Sequence, residues 1–145
     1  MINLESSLDL RKFDNSVMQG RLQEIFRGNI DLTKKLGELR QVTMHLLKPD
    51  RVGGNHYHKM KYEIIAHLTG NPIQVHLMNP QTKERFSTEV QRGYKFDLVP
   101  NIAHSLYCPE GKACLIEFTN LPFSEADLEK DLYRLNVFTL PQSQL

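Results

Sequence analysis

Short stretches in which apolar and polar residues alternate run through most of the chain, separated by Gly, Pro and Asn. That rhythm belongs to β-strands and turns rather than to helices. QVTMHLL (residues 41–47) sets Val42, Met44 and Leu46 against Thr43, His45 and Leu47, and RLQEIFR (21–27) puts Leu22, Glu24 and Phe26 on one side. After a turn at Lys48 to Asp50 and the pair Gly53-Gly54 comes NHYHKMKYEIIAHLTG, followed by PIQVHLMN (72–79). RFSTEV (85–90), YKFDLV (94–99), AHSLYC (103–108) and KACLIEFTN (112–120) bring the set to about nine strands. Such a set can close on itself and leave few exposed edges. One segment departs from the rhythm. In SEADLEKDLYRL, Ser124 and Asp127 have capping-box spacing, and Leu128, Leu132 and Leu135 fall on one helical stripe, which predicts a short carboxy-terminal helix packed on the strands.

Length and composition narrow the picture without naming a partner. A chain of 145 residues makes one ordinary domain and buries roughly two-thirds of its unfolded surface. The expected layout is an N-terminal arm over 1–19, an all-β barrel over 20–122, and a helix and tail over 123–145. A formal net charge of +1 with 24% charged residues argues against a nucleic-acid surface and against a disordered tail. Cys108 and Cys114 form no CxxC pair and read as reduced thiols. The start MINLESSLDLRKFDN has no basic stretch followed by an apolar run, and nothing approaches the ~20 apolar residues of a membrane span. The expectation is a soluble, cytoplasmic protein with no membrane contact.

Candidate chemistry gathers in the middle of the chain. Residues two apart on a strand share a face, so His56 and His58 point together, and Glu63, Ile65 and His67 share a face further on. His56, His58 and Glu63, with His104 next to the Pro100-Asn101 turn as a fourth, form a donor set suited to a divalent transition metal such as Zn, Fe, Mn or Ni. Lys59, Lys61 and Arg51 flank the HxH segment as candidate substrate-binding cations.

His56, His58, Glu63 and Gly70, then Gly93, Pro100 and His104, follow the order of the two motifs of the cupins, which the chain resembles. The second motif is one residue shorter than usual and lacks its glycine. SVMQGRLQEIFRG and RQVTMHLLKPDRVGGNHYHK resemble the RmlC-like branch, which includes the dTDP-4-dehydrorhamnose 3,5-epimerases. GGNHYHKMKYE, DLVPNIAH and FTNLPFSEADL are similar to the cupin domain of capsular-polysaccharide UDP-keto-sugar enzymes, and Gly54 to Lys59 resembles a segment of the dTDP-keto-sugar ketoisomerases.

The resemblance implies a jelly-roll barrel, a homodimer, and an epimerase or isomerase that moves a proton beside the carbonyl of a nucleotide-linked keto sugar. His56 aligns with the base of the epimerases; if His56 is instead a metal ligand, His67 or Tyr62 becomes the candidate proton carrier. A bound metal, Lys59 or Lys61 would offset the charge that builds on the ketone oxygen. Two departures from the epimerases weigh, the first against the same diphosphate anchoring and the second against epimerisation at two carbons by the same machinery. Gly53 stands where the epimerases have Arg, and Thr119-Asn120-Leu121-Pro122 stands where they have a general-acid Tyr. Two other functions are open to such a barrel: another metal-dependent cupin enzyme, such as an Fe(II) dioxygenase, or a non-enzymatic cupin that binds a small ligand.

Overall fold

Runs rich in Val, Ile, Leu and Phe pair into sheets because each strand can bury one row of side chains while its neighbours satisfy its backbone. The computed structural model describes residues 2–13, 32–122 and 130–140. The strand expected at 21–27 and most of the expected carboxy-terminal helix lie outside the described residues. Within them, α1 (Leu4–Ser7), β1 (Arg11–Lys12) and α2 (Leu32–Leu36) precede β2 (Gln41–Leu47), β3 (Val52–His58) and β4 (Glu63–Gly70). There follow β5 (Ile73–Met78), β6 (Arg85–Val90), β7 (Tyr94–Leu98), β8 (Ala103–Tyr107), β9 (Ala113–Thr119) and β10 (Leu132–Arg134).

These strands form two five-stranded antiparallel sheets, ordered β1-β7-β4-β9-β2 and β10-β3-β8-β5-β6. The main core lies between them, where Ile65, Phe96, Leu98 and Leu115 of the first sheet meet Ile73, Val75, Leu77 and Leu106 of the second. A second apolar layer covers the outside of the first sheet, with Phe13 and Leu36 packed on Ile64, Ala66, Ile116 and Phe118. Beside that layer, on the same outer face, Lys95 and Asp97 pair at 2.9 Å, almost wholly buried, and Lys35 joins Asp97 at 2.6 Å. Asp9 completes the cluster through Lys35 and Lys95. No helix among the described residues is long and apolar enough to cross a membrane.

Two elements differ from the pattern read in the sequence. Leu132–Arg134, expected within the carboxy-terminal helix, are a strand on the open edge of β3, pairing Leu132 with His58, Tyr133 with Tyr57 and Arg134 with His56. An unpaired edge offers backbone hydrogen bonds that a helix there would leave unused, and the Tyr133 ring stacks on Tyr57 at 5.1 Å. On β2 the alternation is present with its apolar row outward. Val42, Met44 and Leu46 are 46, 73 and 57% exposed, while Thr43 and His45 are half-buried and Leu47 is buried.

Candidate functional site

Between the two sheets lies a cavity of about 150 Å3, lined by His56, His58, Lys61, Glu63, His104, Glu117 and His45 among apolar neighbours that include Leu98, Leu106 and Leu132. Its second-sheet wall depends on an irregularity in β3. The pairing with β8 shifts between Gly54 and His56, and Gly54 and Asn55 both take left-handed backbone angles, with φ of 87° and 56°. Only Gly fits the first position, since a Cβ there would lie 2.6 Å from the His104 carbonyl oxygen. The extra residue resets the alternation, so that Gly53, Gly54, His56 and His58 all line the cavity.

Asn55 then ties this wall to the carboxy-terminal segment. Its Oδ1 accepts from Ser105 Oγ at 2.6 Å and from the amides of Val137 and Phe138 at 2.9 and 3.0 Å, while its Nδ2 donates to the Phe138 carbonyl at 3.0 Å.

The three histidines stand in ring contact: centroids are 4.9 Å apart for His56 and His58, 4.7 Å for His56 and His104, and 6.3 Å for His58 and His104. Nε2 of His58 and Nε2 of His104 face the Glu63 carboxyl from two sides, at 3.8 and 3.5 Å. Burial holds all three rings neutral at pH 7, aided by the neighbouring imidazoles for His56 and His104 and by the Lys61 ammonium for His58: His56 is pushed down to about 4, and His58 and His104 are also lowered. Each therefore has a lone pair to offer.

Glu63 is pushed the other way, raised well above the ordinary carboxylate range by burial and by the neighbouring Glu117. Burial would raise Glu117 too, but hydrogen bonding to Glu63 and to His45, whose Nε2 lies 2.6 Å from Glu117 Oε2, holds Glu117 below that range. Lys61, 8% exposed, sets its Nζ 3.9 Å from Glu63.

His58 has a partner behind it. Nδ1 lies 3.1 Å from Oδ2 of Asp131, whose carboxylate also accepts from the amides of Lys59, Met60 and Lys61 at 3.0, 2.7 and 3.3 Å. A carboxylate is an acceptor only, so the proton of neutral His58 sits on Nδ1 and the Nε2 lone pair faces the cavity. Asp131, 3% exposed, thus fixes both the tautomer of His58 and the turn from β3 to β4.

The structure brings together His56, His58, Lys61, Glu63 and His104 of the residues singled out in the sequence, and sets the others apart. Tyr62 projects from the opposite face, where its hydroxyl donates to Asp97 at 2.6 Å; burial and that carboxylate hold it protonated far above the usual phenol range. His67 is buried further along β4, outside the cavity lining, with Nδ1 3.3 Å from the Val90 carbonyl oxygen. Lys59 lies 4.5 Å over the Tyr133 ring, and exposed Arg51 stands in the turn before β3. None of these four lines the cavity.

Glu117, Asp131 and His45 are site residues that the motifs did not give. The available signals were a lone acid between Ile116 and Phe118 in an apolar strand, and a histidine in β2 whose own row is the less apolar one.

The donor set fits a transition metal in kind. Three neutral imidazoles and a carboxyl converge, and Nδ1 of His104 is buried with no hydrogen-bond partner among the described residues. No three His, Cys, Asp or Glu among the described residues are gathered into a finished coordination group.

No family model and no curated protein matches the chain. Among solved structures, the QdtA 3,4-ketoisomerase of Thermoanaerobacterium thermosaccharolyticum in complex with TDP superposes with a TM-score of 0.65 at 17% identity, over 88% of this chain and 87% of that one. The dTDP-4-dehydrorhamnose 3,5-epimerase of Sulfolobus tokodaii does so at 0.60 and 18%, over 79% and 69%. The fold is that of the RmlC-like cupins. A third match is to the capsular polysaccharide assembling protein CapF of Staphylococcus aureus, at 0.58 and 22%, over 66% of this chain. The chain spans 28% of the length of CapF. At these identities the likeness is one of architecture, and the cavity between the sheets must speak for the chemistry.

Proposed function

We propose that this cupin is an isomerase or epimerase of a nucleotide-linked keto sugar, with His58 as the proton carrier. The observation that carries the reading is the Asp131–His58 pair, which aims an unprotonated Nε2 into a polar cavity of ring size. The comparisons lend support, since the ketoisomerase and the epimerase that share this architecture are by name enzymes of keto sugars, and one is described in complex with TDP-4-keto-6-deoxyglucose.

Nε2 of His58 takes the proton from the carbon next to the ketone, and Asp131 steadies the imidazolium that forms. The electron pair moves to the ketone oxygen, where the ammonium of Lys61 offsets the new charge. His58 then returns its proton on the same face to the former carbonyl carbon, while the neighbouring hydroxyl passes its proton to the enolate oxygen and becomes the new ketone; epimerisation instead requires a second proton donor on the opposite face. A divalent metal held by His56, Glu63 and His104 would supply further stabilisation at that oxygen. The buried walls exclude water that would compete for the carbanion.

Solvent deuterium incorporation into UDP- and dTDP-linked 4-keto sugars tests the reading. Wild type is expected to exchange the proton beside the ketone, and His58→Asn to lose about 10²–10⁴-fold in rate. Absence of exchange by the wild type in both sugar series would rule the reading out. Metal analysis of the same proteins separates the roles. His56→Ala and His104→Ala are expected to lose the metal and His58→Asn to keep it; a wild type that binds none refutes the metal assignment alone.

A further inference from the structure

The cavity is too small for the whole of the proposed substrate. A space of about 150 Å3 holds one six-membered ring, as an engineered cavity of about that volume holds benzene. If the proposed function is right and the sugar ring occupies it, the nucleoside diphosphate lies outside and needs a cation at the rim. The cavity reaches the outermost described strand of each sheet, β2 through His45 and Leu47 and β10 through Leu132.

Cations near these edges differ in their freedom. Lys61 is buried against Glu63, Lys59 is turned onto Tyr133 on the other face, and Arg85 is spent on the Val137 carbonyl at 2.6 Å. Arg134 is different. It is two residues from Leu132 on the same side of β10 and directly opposite His56 in register, and it is exposed. It makes no ion pair among the described residues.

We infer that Arg134 is the phosphate-binding residue of this site, holding the diphosphate of the nucleotide sugar over the β10 edge while the sugar ring lies among the histidines. This rests on the proposed function and deepens it. A guanidinium presents a planar fork of donors that matches two phosphate oxygens at once.

The test is calorimetric titration of the full chain with UDP and dTDP, for the wild type, Arg134→Gln and, as a control on a distant exposed turn, Arg92→Gln. Arg134→Gln is expected to weaken binding of the preferred diphosphate about tenfold to a hundredfold, with Arg92→Gln unchanged. In exchange kinetics with the keto-sugar nucleotide, Arg134→Gln should raise KM with little change in kcat, because the contact is the same in ground and transition states.

If the wild type binds a diphosphate and exchanges substrate protons while Arg134→Gln does both as well as it does, the inference is overturned and the proposed function stands. An equal loss in Arg92→Gln also overturns it, since the effect would then be of general charge. A wild type that neither binds a diphosphate nor exchanges protons overturns both.

Discussion

Buried and short of a hydrogen bond, His67 makes the stability of the protein depend on pH. Its Nε2 has no partner among the described residues, and burial lowers its proton affinity below the ordinary histidine value of 6.5. Above pH 6.5 the ring is neutral in folded and unfolded chains alike, and the full stability is present. As pH falls below 6.5 the unfolded chain takes up a proton that the folded chain refuses, so stability is lost. His67→Gln removes one such group and should flatten the fall in urea-unfolding free energy below pH 6.5 by up to about 1.4 kcal/mol per pH unit. An unchanged slope would show that His67 protonates freely in the folded protein. At this scale, spacing made His56, His58 and Glu63 legible, because residue types two and five apart are a local property of one segment. Asp131 was not legible. It meets His58 across 73 positions of chain, a distance that no local spacing reports.

Among the elements, strands were read more readily than the faces they turn inward. Gln41–Leu47 and Arg85–Val90 have the expected limits, and β5, β7, β8 and β9 are shorter than expected by a residue at one or both ends. β3 instead starts at Val52 and takes in Gly53 and Gly54, which were expected as turn residues before it. Yet β2 turns Val42, Met44 and Leu46 outward, because the inner face at this end of the barrel lines a cavity into which His45 reaches beside Glu117. The rule that the apolar row faces in fails where a site occupies the interior. β3 hides a second complication, since alternation alone cannot announce an inserted residue. The bulge at Gly54 and Asn55 sets the wall of the site, and Gly54 has a positive φ with no room for a side chain. Gly54→Ala should cost roughly 1–3 kcal/mol in denaturant unfolding and also displace His104, weakening metal or ligand binding. A variant as stable as the wild type would mean that β3 and β8 can part without strain.

For the molecule as a whole, two stacked sheets follow from composition and rhythm, but the ionic cluster on the outer face does not. Lys95 and Asp97 alternate with Tyr94, Phe96 and Leu98 and read locally as a solvated row. In the fold that row is roofed, with Lys35 and Asp9 closing over it. The polar row is buried only because chain segments remote from β7 come to cover it, which no local pattern reports. Asp97→Ala leaves the Lys95 ammonium buried without its nearest carboxylate and should cost roughly 3–5 kcal/mol. Thermal or urea unfolding measures this; a loss within 0.5 kcal/mol, on the order of an ordinary surface change, would show that Asp9 alone neutralises the cluster.

The bonds that tie the carboxy-terminal segment to β3 have a consequence for the order of folding. Asn55 reaches Phe138 across 83 positions and His58 reaches Asp131 across 73, so each closes a long loop before it gains a contact. Such closures are slow and follow the pairing of nearer strands. Until β10 arrives the His58 ring is free to take either tautomer, and the closure that brings Asp131 to its Nδ1 is the step that fixes one.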